Sequence, residues 1–129
     1  MNFLKKIIEW LEKHKKFSFT ILIVILGIMT YLSSISGGNV FLKSNWLSIA
    51  YHFSIFAAFA FFFLAVITRG EIKTRTILTT AIVSLLASIL DELHQLFVPL
   101  RSASIQDVLT DSTGILFSMI LYTLIKKTK

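Results

Sequence analysis

Four long apolar runs separated by short polar connections dominate the chain. The first covers residues 17–32 and continues through two serines to 34, and the others cover 46–67, 77–98 and 105–125. At a rise of about 1.5 Å per residue, a helix of these lengths nearly or fully crosses a hydrocarbon core about 30 Å thick. The pattern predicts an all-α membrane protein whose residues 17–129 form a bundle of four transmembrane helices.

Residues 1–16 show a different pattern. Their apolar side chains recur at helical spacing on one face, and lysines and glutamates occupy the others; the apolar set is Phe3, Leu4, Ile7, Ile8 and Leu11. A basic amphipathic helix of this kind lies in the membrane interface. We therefore predict a separate N-terminal helix on the cytoplasmic side, with a solvated basic leader as the alternative.

Composition agrees with the membrane class. Hydrophobic residues make up 55% of the chain and charged residues 16%, and mean hydropathy is +0.78. The net charge of +6 comes from basic residues that flank the apolar runs, which is a topology signal and argues against a nucleic-acid partner. Cysteine is absent, so disulfides, thiolate nucleophiles and cysteine-ligated zinc are excluded.

The distribution of basic residues predicts the topology. Residues 68–76 and the tail from 126 onward are rich in lysine and arginine, whereas the other two connections contain only Lys43 and Arg101. Positive charge is concentrated on the cytoplasmic side of membrane proteins. Both termini and residues 68–76 are therefore expected in the cytoplasm, with 36–45 and 99–103 outside and a glycine-rich turn at 37–39.

A dense polar cluster interrupts this apolar background near the end of the third run. It begins with Asp91, Glu92, His94 and Gln95 and continues after Pro99 with Arg101, Ser102, Asp107 and Asp111. Ionisable residues inside membrane segments are expensive and usually functional. Helical spacing places Asp91, His94 and Gln95 on one face, extended inward by Ser84 and Ser88, with Glu92 about 100° away. His52 is expected at the same end of the bundle.

The two aspartates of the fourth run have different interpretations. Ser104 and Asp107 match the S-x-x-D form of a capping box, so Asp107 has a purely structural explanation. Asp111 lies one turn deeper and has no such explanation, and Gly114 and Ser118 continue its face as a stripe of small residues suited to close helix packing.

Several kinds of chemistry fit this cluster. A zinc or manganese site could use His52, Asp91, His94 and Asp111 as ligands. A hydrogen-bonding network could instead bind a phosphate or sugar group through Arg101. A proton relay and a salt-bridge network that merely sets the helix register remain as alternatives. No cofactor is assigned.

The motifs resemble those of the VanZ-like family of small membrane proteins, named for a member associated with resistance to the glycopeptide antibiotic teicoplanin. The resemblance rests on four groups of residues, namely Ser33-Ser34, Tyr51-His52-Phe53 with Phe56, Asp91-Glu92-x-His94-Gln95 with Pro99 and Arg101-Ser102, and Asp107-Val108 with Asp111 and Gly114. Leu100 departs from it, because a glycine is expected between the proline and the arginine.

The resemblance and the cluster together define the site that we expect. The candidates for acid/base catalysis are His52, Asp91, Glu92, His94 and Asp111, and the candidates for substrate binding are Ser33, Ser34, Gln95, Arg101, Ser102 and Asp107. The expected function is an outward-facing polar pocket that binds or modifies a lipid-linked or peptidoglycan-related component of the cell envelope. The expected partners are membrane lipid and either a lipid-linked cell-wall precursor or the antibiotic itself. The alternative is a non-catalytic membrane protein that restricts access at the envelope surface.

Overall fold

The computed structural model describes residues 3–36 and 45–127, and these form five α-helices. The helices are α1 (Phe3–Lys13), α2 (Lys15–Ser34), α3 (Asn45–Ile67), α4 (Thr74–Gln95) and α5 (Ile105–Lys127). Helices α2 to α5 are each long and apolar enough to cross a membrane. The predicted four-helix transmembrane fold is confirmed, and the protein is a multi-pass membrane protein.

Helices α3 and α5 form the most extensive contact of the bundle. The core between them contains Phe56 and Leu64 from α3 and Tyr122 from α5, all fully buried. Gly114 permits this approach, because a Cβ atom there would overlap the Phe53 carbonyl oxygen and lie 3.1 Å from its carbonyl carbon. Many large apolar side chains on the outside are exposed, as expected where helices face lipid.

Helix α1 packs across one end of the bundle. Ile8 and Leu11 are buried in the core, whereas Phe3 and Trp10 stay exposed, so the helix is amphipathic as predicted. Glu12 fixes it to α5, since its carboxylate accepts hydrogen bonds from the Tyr122 hydroxyl at 2.8 Å and from Lys126 Nζ at 2.9 Å. The division of the chain into domains at residue 16 stays a prediction.

Further contacts define the two ends of the bundle. Lys15 Nζ donates to the carbonyl oxygens of Val66 and Thr68 at 2.9 and 3.0 Å, which joins the start of α2 to the end of α3. Helix α1, the connection after α3 and the end of α5 therefore lie together. The polar cluster lies at the opposite end. Which end faces the cytoplasm stays a prediction, and the expected turn at 37–39 lies outside the described residues.

The third transmembrane helix is shifted relative to its predicted bounds of 77–98. Helix α4 begins at Thr74 and ends at Gln95. Beyond it, Phe97 N donates to His94 O and Val98 N donates to Gln95 O, at 3.0 and 3.1 Å, which is the tighter i to i−3 pattern of a closing turn. The residue before a proline is disfavoured in the α conformation, so Pro99 ends the helix earlier than hydropathy alone indicated.

Candidate functional site

The centre of the polar end is a buried triad from three helices. His52 of α3 and Asp111 of α5 are 2% and 0% exposed. His52 Nδ1 lies 2.9 Å from Asp111 Oδ1, and the Ser88 hydroxyl of α4 donates to Asp111 Oδ2 at 2.6 Å. A carboxylate only accepts hydrogen bonds, so an ionised Asp111 places the proton of His52 on Nδ1.

His52 also lines a cavity of about 320 Å³. His52 Nε2 lies 3.9 Å from Asp107 Oδ2, which is too long for a hydrogen bond. The cavity is lined by Ser48, Ile49, His52, Gln95, Leu100, Arg101, Ser102, Ser104, Gln106 and Asp107. A neutral His52 with its proton on Nδ1 has a free lone pair on Nε2, which is the position needed by a general base.

Arg101 is the only cationic side chain among the described residues that line this cavity. Its Nε atom is buried and has no hydrogen-bond partner within the described part of the chain. Buried polar groups are normally hydrogen-bonded, and a guanidinium offers planar donors that suit phosphate or carboxylate. The cavity therefore combines a cation without a hydrogen-bond partner at Nε and a candidate base.

Glu92 has both carboxylate oxygens occupied by protein donors. Gln95 Nε2 donates to Oε1 at 3.2 Å, and the backbone N–H of Ser104 donates to Oε2 at 2.7 Å. These bonds attach the connection between α4 and α5 to the buried face of α4. Glu92 lies beside the cavity, and its contacts position the segment that contains Arg101.

The predicted orientation of α4 is wrong at its polar end. The buried stripe contains Ser84, Ser88, Glu92 and Gln95, whereas Asp91 is half-buried and His94 is exposed. Positions four apart advance by about 40° around a helix, so a stripe that follows this spacing reaches Glu92 and excludes His94. The sequence interpretation instead extended the face of Ser84 and Ser88 to Asp91 and His94.

The capping interpretation of Asp107 is only half right. Ser104 Oγ accepts a hydrogen bond from the Asp107 backbone N–H at 3.3 Å, as a capping serine does. The Ser104 N–H, which would donate to Asp107 in a complete capping box, donates to Glu92 instead. The Asp107 carboxylate is therefore available to the cavity, and the cap does not account for it.

Three of the expected site residues lie on the other side of α4, and a fourth is buried in α2. His94 Nε2 is 3.0 Å from Ser34 Oγ, and the Ser34 hydroxyl donates to Thr30 O at 2.6 Å. A hydroxyl has one proton, so His94 is the donor in this pair. Asp91 accepts a hydrogen bond from Gln95 Nε2 at 3.1 Å. Ser33 is buried, and its hydroxyl has no hydrogen-bond partner among the described residues.

The residues closest to a metal-binding arrangement differ from the expected set. One ligand atom from each of His52, Glu92 and Asp107 lies within 4.8 Å of the other two. The expected set also included Asp91 and His94, which do not line the His52 cavity. Glu92 already accepts one hydrogen bond on each carboxylate oxygen, so one lone-pair position on each oxygen is left for an ion.

Leu100 lines the cavity in an unusual backbone conformation. Its φ is 61°, in the left-handed region that disfavours residues with a Cβ atom. The expected glycine at this position thus has a physical reason in this structure. Leucine adopts this left-handed conformation here, although glycine would adopt it with less strain.

The sequence interpretation missed some residues of the site. Ser88 was placed on a face but given no role, although it binds Asp111 directly. Ser48 and Gln106 line the cavity and were not singled out. The i+4 spacing of Ser84, Ser88 and Glu92 could have predicted the buried face of α4, because all three residues lie on it.

These features define a class, a small four-helix membrane protein with a buried acid–histidine pair beneath a polar cavity at one end of the bundle. Within that class, the model of the VanZ/LLP1 family matches residues 8–126. The chain belongs to this family. No curated protein and no solved structure matches it.

Proposed function

We propose that the cavity binds the anionic head of a membrane-anchored component of the cell envelope and that His52 acts on it as an acid/base group. Through this activity the protein would lower sensitivity to glycopeptides such as teicoplanin, the resistance associated with its family. The observation that carries the proposal is that Arg101 lines the same cavity as His52, and that its buried Nε has no hydrogen-bond partner among the described residues.

The charges around the cavity support an anionic ligand with hydroxyl groups. Arg101 supplies hydrogen-bond donors for a phosphate or carboxylate, and Asp107 and Ser102 offer acceptors for hydroxyls. The cavity volume of about 320 Å³ is at the lower end of ligand sites. It fits a headgroup rather than an entire antibiotic molecule.

The His52–Asp111 pair supports proton transfer. Asp111 holds the ring through Nδ1 and stabilises the imidazolium that forms when Nε2 takes a proton, as carboxylates do for catalytic histidines. Ser88 fixes the carboxylate from the other side. In this role Asp111 is a positioning residue, His52 is the catalytic residue, and Arg101 binds the substrate.

The site is proposed to face the outside of the cell. The basic residues of the opposite end, including Lys15, Arg69 and Lys126, would then lie in the cytoplasm with both termini. A lipid-linked precursor of the cell wall is exposed on the outer face, so this orientation places the cavity on the side where glycopeptides act.

The test compares teicoplanin susceptibility of a sensitive bacterial host that produces the parent or a variant at equal membrane levels. We expect the parent to raise the inhibitory concentration and His52→Gln and Arg101→Gln to abolish the increase. His14→Gln is the matched control, because His14 is exposed at the opposite end and its ring contacts Trp10 of α1 through a hydrogen bond to the carbonyl oxygen and a stacked contact. Protection by His52→Gln equal to that of the parent would instead favour a non-catalytic blocker.

A further inference from the structure

A second cavity lies between α2 and α4, next to the proposed headgroup site. It has a volume of about 310 Å³ and is lined by Leu26, Met29, Thr30, Ala87, Leu90, Asp91 and His94. Its walls are mostly apolar: Asp91 and His94 lie at one end, and the Thr30 hydroxyl donates to the Leu26 carbonyl oxygen of its own helix. Leu90 is 63% exposed and Thr30 is exposed, so this groove opens sideways from the bundle.

The groove has the dimensions of a site for a hydrocarbon chain. From His94 back to Ala87 the helix advances seven residues, or about 10 Å at 1.5 Å per residue. Met29 forms its buried floor. The small side chain of Ala87 leaves room between two helices that otherwise present leucines and isoleucines to their surroundings.

One hydrogen bond joins a residue that lines the groove to a residue that lines the headgroup cavity. Asp91 lines the groove, and its Oδ2 accepts from Nε2 of Gln95. Gln95 in turn lines the cavity that contains His52 and Arg101. An amphipathic molecule placed across this pair would have its polar head beside Arg101 and its chain in the groove.

We infer that the α2/α4 groove binds the hydrocarbon chain of the same lipid whose anionic head enters the Arg101 cavity, with Asp91, His94 and Ser34 at the polar mouth of the groove. This inference rests on the proposed function for the headgroup. It explains why Asp91 and His94 lie on the lipid side of α4. At this depth the hydrocarbon gives way to lipid headgroups, and polar side chains are tolerated.

The Ser34–His94 bond closes the mouth of the groove between the two helices. It joins the end of α2 to the end of α4 at 3.0 Å, directly beyond the apolar part of the groove. A chain in the groove therefore passes beneath this bond, and loss of His94 would widen the mouth without removing the apolar walls.

The test uses the full-length protein in vesicles of phosphatidylcholine that contain phosphatidylglycerol with a photoactivatable diazirine in its acyl chain. After irradiation, cross-linked positions are mapped by peptide mass spectrometry. We expect cross-links to concentrate on Leu26, Met29, Ala87 and Leu90. Ala87→Phe and Leu90→Trp should lower them about tenfold, which corresponds to about 1.4 kcal/mol of binding.

Leu86→Trp is the matched control. Leu86 is also an exposed leucine of α4, at 53%, but it does not line the groove. It should leave the cross-links unchanged. The inference would be overturned if the cross-links were spread evenly over the exposed leucines and were equal in the parent and in Leu90→Trp. An absence of lipid cross-links at these four positions in the parent would overturn it as well, because the occupant would then not be lipid.

A separate arm distinguishes this inference from the proposed function. The same experiment is repeated with a phosphatidylcholine probe and with Arg101→Gln. If the headgroup proposal holds, Arg101→Gln removes the preference for the anionic probe and keeps the groove cross-links. If Arg101→Gln leaves the preference intact, the headgroup proposal fails, and the groove is then judged by Ala87→Phe and Leu90→Trp alone.

Discussion

Replacing Asp111 by asparagine tests the centre of the site. Asp111 is fully buried and accepts hydrogen bonds from His52 and Ser88 at 2.9 and 2.6 Å. Asparagine has nearly the same volume and can still form one bond to each partner. The change removes the negative charge and leaves the packing of α3, α4 and α5 in place.

The size of the effect follows from the distance to His52. Two unit charges 2.9 to 4 Å apart interact by about 4 to 6 kcal/mol at an effective dielectric constant of about 20. Asparagine loses this stabilisation of a protonated His52 in either orientation of its amide. The contribution of a general base is about 10²- to 10⁴-fold in rate, so we expect a loss of at least about 100-fold in any proton-transfer step.

Folding should be affected much less than activity. The variant replaces two hydrogen bonds to a charged group by two neutral ones, which costs about 1 kcal/mol each. It also no longer buries a charge, which offsets part of that loss. Asp111→Asn should therefore insert and accumulate like the parent. Ser88→Ala is a useful companion, because it removes one hydrogen bond from Asp111 and keeps the negative charge beside His52. We expect it to retain more protection than Asp111→Asn.

The assay is the teicoplanin inhibitory concentration at matched levels of membrane protein, with thermal unfolding in detergent as the measure of folding. The reasoning is refuted if Asp111→Asn, at parental abundance, protects cells as well as the parent. A variant that fails to accumulate is replaced by Ser88→Ala and His52→Gln, which test the same hydrogen-bonded triad from its other members.

Three further predictions concern the fold. Leu100→Gly should raise stability by up to about 1 kcal/mol, because it relieves a left-handed leucine at φ 61° whose side chain is 81% exposed; a lower unfolding temperature would contradict this. Gly114→Ala should destabilise the α3/α5 contact by about 1 to 3 kcal/mol, measured by thermal unfolding against Gly27→Ala, which has open space around it. Ser102→Cys should react with an impermeant thiol reagent in intact cells and Lys73→Cys should not, and the reverse result would invert the proposed topology.

The sequence was sufficient to predict the transmembrane fold for a physical reason. A hydrocarbon environment requires the backbone to satisfy its own hydrogen bonds, so apolar runs of about 20 residues could only be helices. The helix ends were harder to predict. Hydropathy extends through Val98, but Pro99 and the closing turn end α4 at Gln95.

The gathering of the polar residues at one end of the bundle could be predicted from the sequence, but their contacts could not. Periodicity gives the relative angles of side chains on one helix and does not give the rotation of that helix in the bundle. Asp91 and Glu92 are adjacent in sequence, and a rotation of part of a turn decides which is buried. The structure buries Glu92, which accepts hydrogen bonds from Gln95 and from the backbone of Ser104. Asp91 instead lines the α2/α4 groove.

The division of polar residues between two faces of α4 is consistent with an amphipathic ligand. His52, Asp107 and Arg101 surround a cavity that is polar, and Asp91 and His94 mark the end of a groove that is apolar. A pocket for a soluble ligand would need only the first of these two groups. A ligand that has its head in one cavity and its chain in the other gives both groups a role, and the Asp91–Gln95 bond is where the two parts meet.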